Sequence, residues 1–248
     1  MNIADTGDSM RTIKTLLAAT ALVAAGMSLH ANVRPVHAGG FVPVNVTGTI
    51  FEDFNGDGVQ QLEEQPLEGW IVHLADGDDV VQTTFTQAFG DYSFSDVGAG
   101  TFTVFEEPPA SWALTTSPDY YSVTTSSGVD VGGLVFGNFL LGILSGNVLK
   151  DLTGNGFSPD DTPFATPVKI QLFLNGGAVP VTTTTTYSGG WFSFSGLGPG
   201  LYTVRELVPA GYVLTAQVEA ATYGLSGFVS AGNDFDNSRP VALAMPAR

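Results

Sequence analysis

Residues 48–58 read GTIFEDFNGDG, and residues 146–156 read GNVLKDLTGNG. The similarity continues downstream at a constant offset of about 100 residues. The matching segments are 98–104 (GAGTFTV) with 198–204 (GPGLYTV), and 136–138 (FGN) with 235–237 (FDN). Solenoid and propeller repeats have periods of about 20 to 50 residues, so each copy is long enough to fold by itself. The sequence therefore predicts two homologous domains in tandem.

Each copy has the pattern of a β-protein. Short β-branched and aromatic segments alternate with turns, and the chain contains 31 Gly and 14 Pro. The strands predicted in the first copy are Thr47–Phe51, Trp70–Leu74, Val80–Thr86, Tyr92–Phe94, Thr101–Glu107, Ser122–Thr125 and Leu134–Phe139. In the second copy, the polar run 182–186 is predicted as an edge strand, with a glycosylated loop as the alternative. This spacing favours an all-β sandwich or barrel.

The charge balance excludes several classes of partner. The chain carries 24 acidic and 8 basic residues, for a formal charge of -16. No Lys or Arg occurs between Arg34 and Lys150, so nothing in that stretch neutralises the phosphates of nucleic acid or an anionic membrane. Cysteine is absent, which excludes disulfides and thiolate metal sites. Another interaction has to stabilise the domains.

The amino-terminal segment has the pattern of an export signal. A basic stretch, 10–14, precedes an apolar run, 16–29, that is short for a membrane span. We expect a signal peptide over 1–38, with Met10 as an alternative start, residues 24–26 as a rival cleavage site, and an uncleaved anchor as the alternative. The boundaries that follow are a linker at 39–45, domains of about 95 residues at 46–140 and 141–238, and a tail at 239–248.

Residues 53–64 have the ligand spacing of a twelve-residue calcium loop. Oxygen-bearing side chains occupy positions 1, 3, 5 and 12, and a backbone carbonyl is available at position 7. The candidate ligands are Asp53, Asn55, Asp57, Val59 and Glu64. Gly58, at position 6, permits the sharp turn that Ca2+ coordination by six to eight oxygens requires. A strand precedes the loop, so we predict a calcium loop outside a helical EF-hand; a solvated Asp/Gly turn is the alternative.

The equivalent loop in the second copy is poorer in carboxylates. Position 5 is neutral, and position 12 is Thr162. We predict a weaker site, or none, unless Asp160 or Asp161 substitutes, because fewer carboxylates attract a dication less strongly. The candidate ligands are Asp151, Thr153, Asn155, Phe157 and Asp161.

At these residues the chain resembles the SdrD B-like domains, the B-type repeats of serine-aspartate-repeat surface proteins, which are related to the B-type domains of collagen adhesins. The resemblance is carried by the calcium-type loop and by the segments 64–70 (EQPLEGW) and 104–109 (VFEEPP), and it extends over both copies. It implies two prealbumin-like antiparallel β-sandwiches in which calcium is structural.

Some related adhesin modules close a Lys-to-Asn amide bond beside a buried acid. The resemblance places Glu106 and Glu206 at the acid, and Asn138 and Asn237 at the amide. The first copy contains no lysine, which excludes the bond there. Lys150 and Lys169 leave it open in the second copy.

Other sequence features give little support to an enzyme. His73, in an apolar strand, is expected at the surface. Glu106 and Glu107 are adjacent and point to opposite faces of a strand, so they do not form a carboxylate pair for glycoside hydrolysis. A carbohydrate-binding platform is the alternative function, and its candidate aromatics are Trp70, Trp112, Trp191, Tyr120 and Tyr121.

We therefore predict a secreted or cell-surface structural or adhesive protein, not an enzyme, in which structural Ca2+ rigidifies a tandem β-sandwich spacer. The alternative is a carbohydrate-binding or accessory module that serves a partner enzyme. The expected partners are an extracellular protein or a polysaccharide, without nucleic acid and without a membrane span after signal cleavage. The expected location is the extracellular region or the cell surface.

Overall fold

The structure, a computed structural model, describes residues 40–218 and 222–239. The predicted signal peptide and the tail beyond Arg239 lie outside these residues. Within them, no helix is long and apolar enough to cross a membrane. The described chain divides into two compact units, residues 40–53 with Asp57–Asn138, and Phe54–Gly56 with residues 139–239.

The first unit is a sandwich of two four-stranded sheets. Its strands are β1 (Val44–Glu52), β2 (Ile71–Asp76), β3 (Asp79–Phe85), β4 (Asp91–Val97), β5 (Gly100–Glu107), β6 (Trp112–Leu114), β7 (Tyr121–Thr125) and β8 (Val131–Leu140). One sheet has the order β4-β1-β8-β6 and the other β3-β2-β5-β7. The seven predicted strands are present, and the short β6 is an additional one. All-β sandwich architecture is confirmed.

Side-chain alternation builds the core of this unit. In β1, Val44, Val46, Gly48 and Ile50 are buried, while residues 45, 47 and 49 are exposed or half-buried, as the two-residue period of a strand requires. The side chains of Val44, Val46 and Ile50 pack with Val72 and Phe136 from β2 and β8 in one apolar cluster. The cluster draws on both sheets, so burial of apolar surface holds the sandwich together.

The second unit repeats this arrangement. Its strands are β9 (Gly142–Lys150), β10 (Thr162–Pro163), β11 (Lys169–Leu174), β12 (Thr182–Thr185), β13 (Trp191–Leu197), β14 (Gly200–Glu206), β15 (Val213–Gln217), β16 (Thr222–Gly224), β17 (Val229–Ser230) and β18 (Phe235–Ser238). One sheet runs β10-β9-β18-β15, with β13 and β17 also paired to β9, and the other runs β12-β11-β14-β16. The predicted polar edge strand is confirmed as β12.

The first strand of each unit has a parallel neighbour within a mainly antiparallel fold. β1 pairs with β8, and β9 pairs with β18, in parallel. The carboxyl ends of these paired strands therefore meet at the same edge of the sheet. This edge is where the candidate calcium loops begin.

The prediction that His73 is exposed was wrong. Its side chain is buried, with Nδ1 2.9 Å from the Thr83 hydroxyl and the ring centroid 5.0 Å from that of Phe105. β2 lies between β3 and β5, and Phe105 and Tyr120 form a small second apolar cluster with Ala75 on this sheet. Burial lowers the pKa of His73, an effect that nearby Glu107, with Oε2 3.5 Å from Nε2, opposes.

We predict that Gly48→Ala destabilises the first unit by about 1–3 kcal/mol, as overpacking typically does. A Cβ at Gly48 would lie 1.9 Å from the Leu134 carbonyl oxygen and 2.4 Å from the Tyr92 hydroxyl, so β1 and β8 would have to separate. Urea denaturation checks this. Gly198→Ala, where a Cβ meets nothing within 4 Å, is the control; equal midpoints for the two variants would contradict the prediction.

Candidate metal sites

Both candidate loops begin with an equivalent backbone hydrogen bond to the parallel neighbouring strand. The Asp53 amide, directly after β1, donates to the Asn138 carbonyl oxygen at 2.8 Å. The Asp151 amide, directly after β9, donates to the Asn237 carbonyl oxygen at 2.9 Å. The parallel partner strand therefore fixes the first residue of each loop.

In the first loop, backbone amides turn toward carboxylates. The buried Asp53 carboxylate accepts from the amides of Asp57 (3.2 Å) and Gly58 (2.7 Å). Asp57, which is exposed, accepts from the amide of Val59 at 2.8 Å. The buried Glu64 carboxylate accepts from the amide of Gln61 at 2.9 Å, which brings position 12 back onto the loop. Gly56 and Gly58 have positive φ, which permits these turns.

The oxygens of this loop suit a hard cation. Asp53, Asp57 and Glu64 supply carboxylates, Asn55 an amide oxygen and Val59 a carbonyl, a donor set that Ca2+ prefers and that softer metals do not. Two of the carboxylates, Asp53 and Glu64, are 0% and 7% exposed. The residues present therefore fit calcium chemistry.

In the second loop, Asp151 holds the turn. Its carboxylate accepts from the amides of Thr153 (3.1 Å), Gly154 (2.6 Å), Asn155 (3.3 Å) and Gly156 (3.0 Å). Burial opposes ionisation of Asp151, but hydrogen bonds from the Gly156 amide, the Thr215 side chain and the Gly154 and Thr153 amides lower its pKa to about 2. Asp151 is therefore an anion at neutral pH.

Sequence reasoning missed a third acid at this site. Asp236, on β18, joins Asp151 and Asp161, with one oxygen from each lying within 4.8 Å of the others. Burial, and then the charges of Asp161 and Asp151, raise the pKa of Asp236 to about 7. The aligned triplets FGN and FDN contained the signal, a glycine in one copy and an acid in the other. Thr162, at position 12, is exposed, as is Phe157.

Each of the two sequence repeats matches the same known family. The profile of the SdrD B-like domain matches residues 44–133 and 143–235. The chain belongs to the SdrD B-like domain family. This membership places the chain in the extracellular region or at the cell surface.

Two staphylococcal proteins are among the relatives of these SdrD B-like modules. Serine-aspartate repeat-containing protein F of Staphylococcus epidermidis is 29% identical over an alignment of 192 residues, and the match covers 69% of this chain and 10% of the relative. Serine-aspartate repeat-containing protein D of Staphylococcus aureus (strain Newman) is 28% identical over an alignment of 199 residues, and the match covers 72% of this chain and 14% of the relative. The chain thus spans a small part of the length of the curated relatives it matches.

Solved structures similar to the SdrD B-like pair include a streptococcal ancillary pilin, with TM-score 0.38, 20% identity and coverage of 82% of this chain and 64% of the pilin. Another is a single B repeat unit of the collagen-binding surface protein of Staphylococcus aureus, with TM-score 0.28, 17% identity and coverage of 80% and 98%. The fold assignment rests on the strand pairing and on the family match.

Each SdrD B-like module contains a buried acid–amide pair. Asn138 Nδ2 donates to both Glu106 oxygens at 2.9 Å, and Asn237 Nδ2 donates to those of Glu206 at 2.8 and 2.9 Å. All four side chains are buried. Of the two lysines considered for an amide bond, Lys169 is exposed, and Lys150 lies in backbone register with Asn237.

The aromatic residues considered for a carbohydrate platform mostly pack inside the first SdrD B-like module. Trp70 and Trp112 meet edge to face at 5.3 Å between centroids. Tyr121 donates its hydroxyl to the Val135 carbonyl oxygen at 2.7 Å, and Tyr120 packs on the smaller apolar cluster. Trp191, in the second module, is 49% exposed.

We predict that Glu206→Gln stabilises the second module at pH 7. Burial raises the pKa of Glu206, and the hydrogen bond from Asn237 opposes this. A carboxyl whose pKa is higher in the folded state stabilises folding below its unfolded pKa, near 4.5, and loses that contribution as the pH rises through the folded pKa. Glutamine removes the charge and keeps one oxygen that accepts from Asn237 Nδ2.

The measurement is the urea midpoint of wild type and variant at pH 7 and pH 4. The difference should shrink toward pH 4. Glu68→Gln, at an exposed acid, serves as the control and should leave both midpoints unchanged. A Glu206→Gln protein less stable than wild type at pH 7 would contradict the interpretation.

Proposed function

We propose that this chain is a structural or adhesive spacer of the cell surface or extracellular space, and that bound Ca2+ rigidifies its two SdrD B-like modules. The observation that carries the proposal is the pair of buried loop carboxylates, Asp53 and Glu64, in a unit without Lys or Arg. Buried carboxylates are paired with positive charge or coordinate metals. A divalent cation would add positive charge to the backbone amides from which these two carboxylates accept.

Calcium fits the proposed location. Extracellular calcium modules of this loop type have dissociation constants of about 10⁻⁴–10⁻³ M, and they are saturated where calcium is abundant. A module without disulfides gains its stability from the ion in such surroundings. The loop ties the end of β1 to that of β8 through the bond from Asp53 to Asn138, so an ion held there stiffens the junction of these strands.

The role proposed is mechanical and not catalytic. Family membership supports a structural module, and the relatives are serine-aspartate repeat-containing proteins. The proposed partners are extracellular proteins or polysaccharides. The titratable groups His73 and Glu106 are both buried and engaged in packing or hydrogen bonding, which suits a structural role.

We predict that Ca2+ raises the unfolding free energy of the first module by about 2.7 kcal/mol when its concentration is a hundred times the dissociation constant. Asp57→Ala should abolish this gain while leaving the melting temperature in EGTA close to that of wild type, because Asp57 is exposed. Differential scanning calorimetry with CaCl2 and with EGTA measures both.

Asp91→Ala provides the matched control, since Asp91 is an exposed acid of the same module outside the loop. It should keep the full calcium response. A wild-type protein that melts identically in CaCl2 and EGTA would refute the proposal, as would an equal loss of response in Asp57→Ala and Asp91→Ala.

A further inference from the structure

We propose that Asp236 completes a divalent cation site with Asp151 and Asp161 in the second module, in place of the position-12 acid that this loop lacks. The inference rests on the proposed function, since it names the ligand set of the second calcium site. It adds a ligand from a distant strand that the loop spacing does not contain.

The geometry brings three acids into one coordination shell. Asp151 follows β9, Asp161 precedes β10, and Asp236 lies on β18, the parallel neighbour of β9. One carboxylate oxygen from each lies within 4.8 Å of the other two. Ligands on opposite sides of a Ca2+ ion are separated by about 4.8 Å, twice a bond length of about 2.4 Å, so one ion reaches all three.

The burial of Asp236 and its lack of hydrogen bonds are a second, independent observation. The residue is 0% exposed, and neither carboxylate oxygen has a hydrogen-bond partner. Its polar neighbours here, Asp151 and Asp161, are acceptors as well. A buried carboxylate facing two others is costly unless a cation lies between them.

The two modules differ at one pair of strand positions, and this difference explains how the third acid fits. In the first module, Phe51 is in register with Gly137, and a Cβ at Gly137 would lie 2.6 Å from the Phe51 ring, so no side chain fits. In the second module, the equivalent register pair is Leu149 and Asp236. Leu149 is smaller than Phe51, and this leaves room for the side chain of Asp236 where the first module has Gly137.

Each module has an acid at one of two positions, loop position 12 or the last strand, and lacks it at the other. The first has Glu64 at loop position 12 and glycine on its last strand. The second has an exposed threonine at position 12 and Asp236 on its last strand. Each module therefore has a second buried carboxylate besides the first loop aspartate: Glu64 in the loop of the first module and Asp236 on the last strand of the second.

The test uses the full chain with the first site disabled by Asp57→Ala. Calorimetric titration with CaCl2 should show one remaining ion per chain. Adding Asp236→Asn, which preserves shape, should weaken this binding by a factor of about ten or more. Adding Asp160→Asn, at an exposed acid outside the triad, should change the affinity less than twofold.

Thermal melts give a second readout that distinguishes a ligand from a packing residue. In EGTA, Asp236→Asn should melt above its parent because it removes repulsion between acids, and in saturating CaCl2 it should melt below. Asp161→Asn should show the same crossing. An Asp236→Asn protein that keeps the parent's affinity, or an Asp57→Ala protein that binds no Ca2+, overturns the inference.

These outcomes also separate the two proposals. The proposed function fails in the first module if wild type and Asp57→Ala respond equally to CaCl2. The inference stands in that case if the response depends on Asp236, and it fails if the response is independent of Asp236.

Discussion

Each module buries carboxylates near the end of its first strand, and the remainder of the structure depends on how these carboxylates are stabilised. Asp53 and Asp151 are almost fully buried, and each is held by backbone amides of the loop that follows. Amides stabilise a single carboxylate well, as the low pKa of Asp151 shows. They do not offset the repulsion from a second or third acid nearby, and that repulsion is what a divalent cation would relieve.

The fold explains why the acids meet at this point. A parallel pairing of first and last strands brings the carboxyl end of β1 to that of β8, and the end of β9 to that of β18. The loop after the first strand therefore lies next to the end of the module. The strand ends are also where Asn138 and Asn237 donate to Glu106 and Glu206, so the candidate metal loop and the acid–amide pair lie at the same edge of the sheet.

Much of this could be predicted from sequence because it is local or repeated. Strand alternation located the sheets, and the loop spacing located Asp53 and Glu64 as candidates. His73 could not be placed, because its burial depends on packing against Phe105 of the neighbouring strand β5. Asp236 was missed because its acidic neighbours, Asp151 and Asp161, lie in the loop between β9 and β10, and the pairing of β18 with β9 brings them together.

On the proposed assignment, the acid that completes the metal site comes from the loop in the first module and from the last strand in the second. Glu64 reaches back across a loop of its own, whereas Asp236 belongs to a strand whose backbone is already paired to β9. A strand residue loses less conformational freedom on binding an ion than a loop residue does, because its backbone is ordered beforehand. The second site has fewer loop carboxylates, but part of this deficit is offset because Asp236 is already ordered before the ion binds. The two sites therefore use the same ligand chemistry and differ mainly in the conformational entropy that ion binding costs.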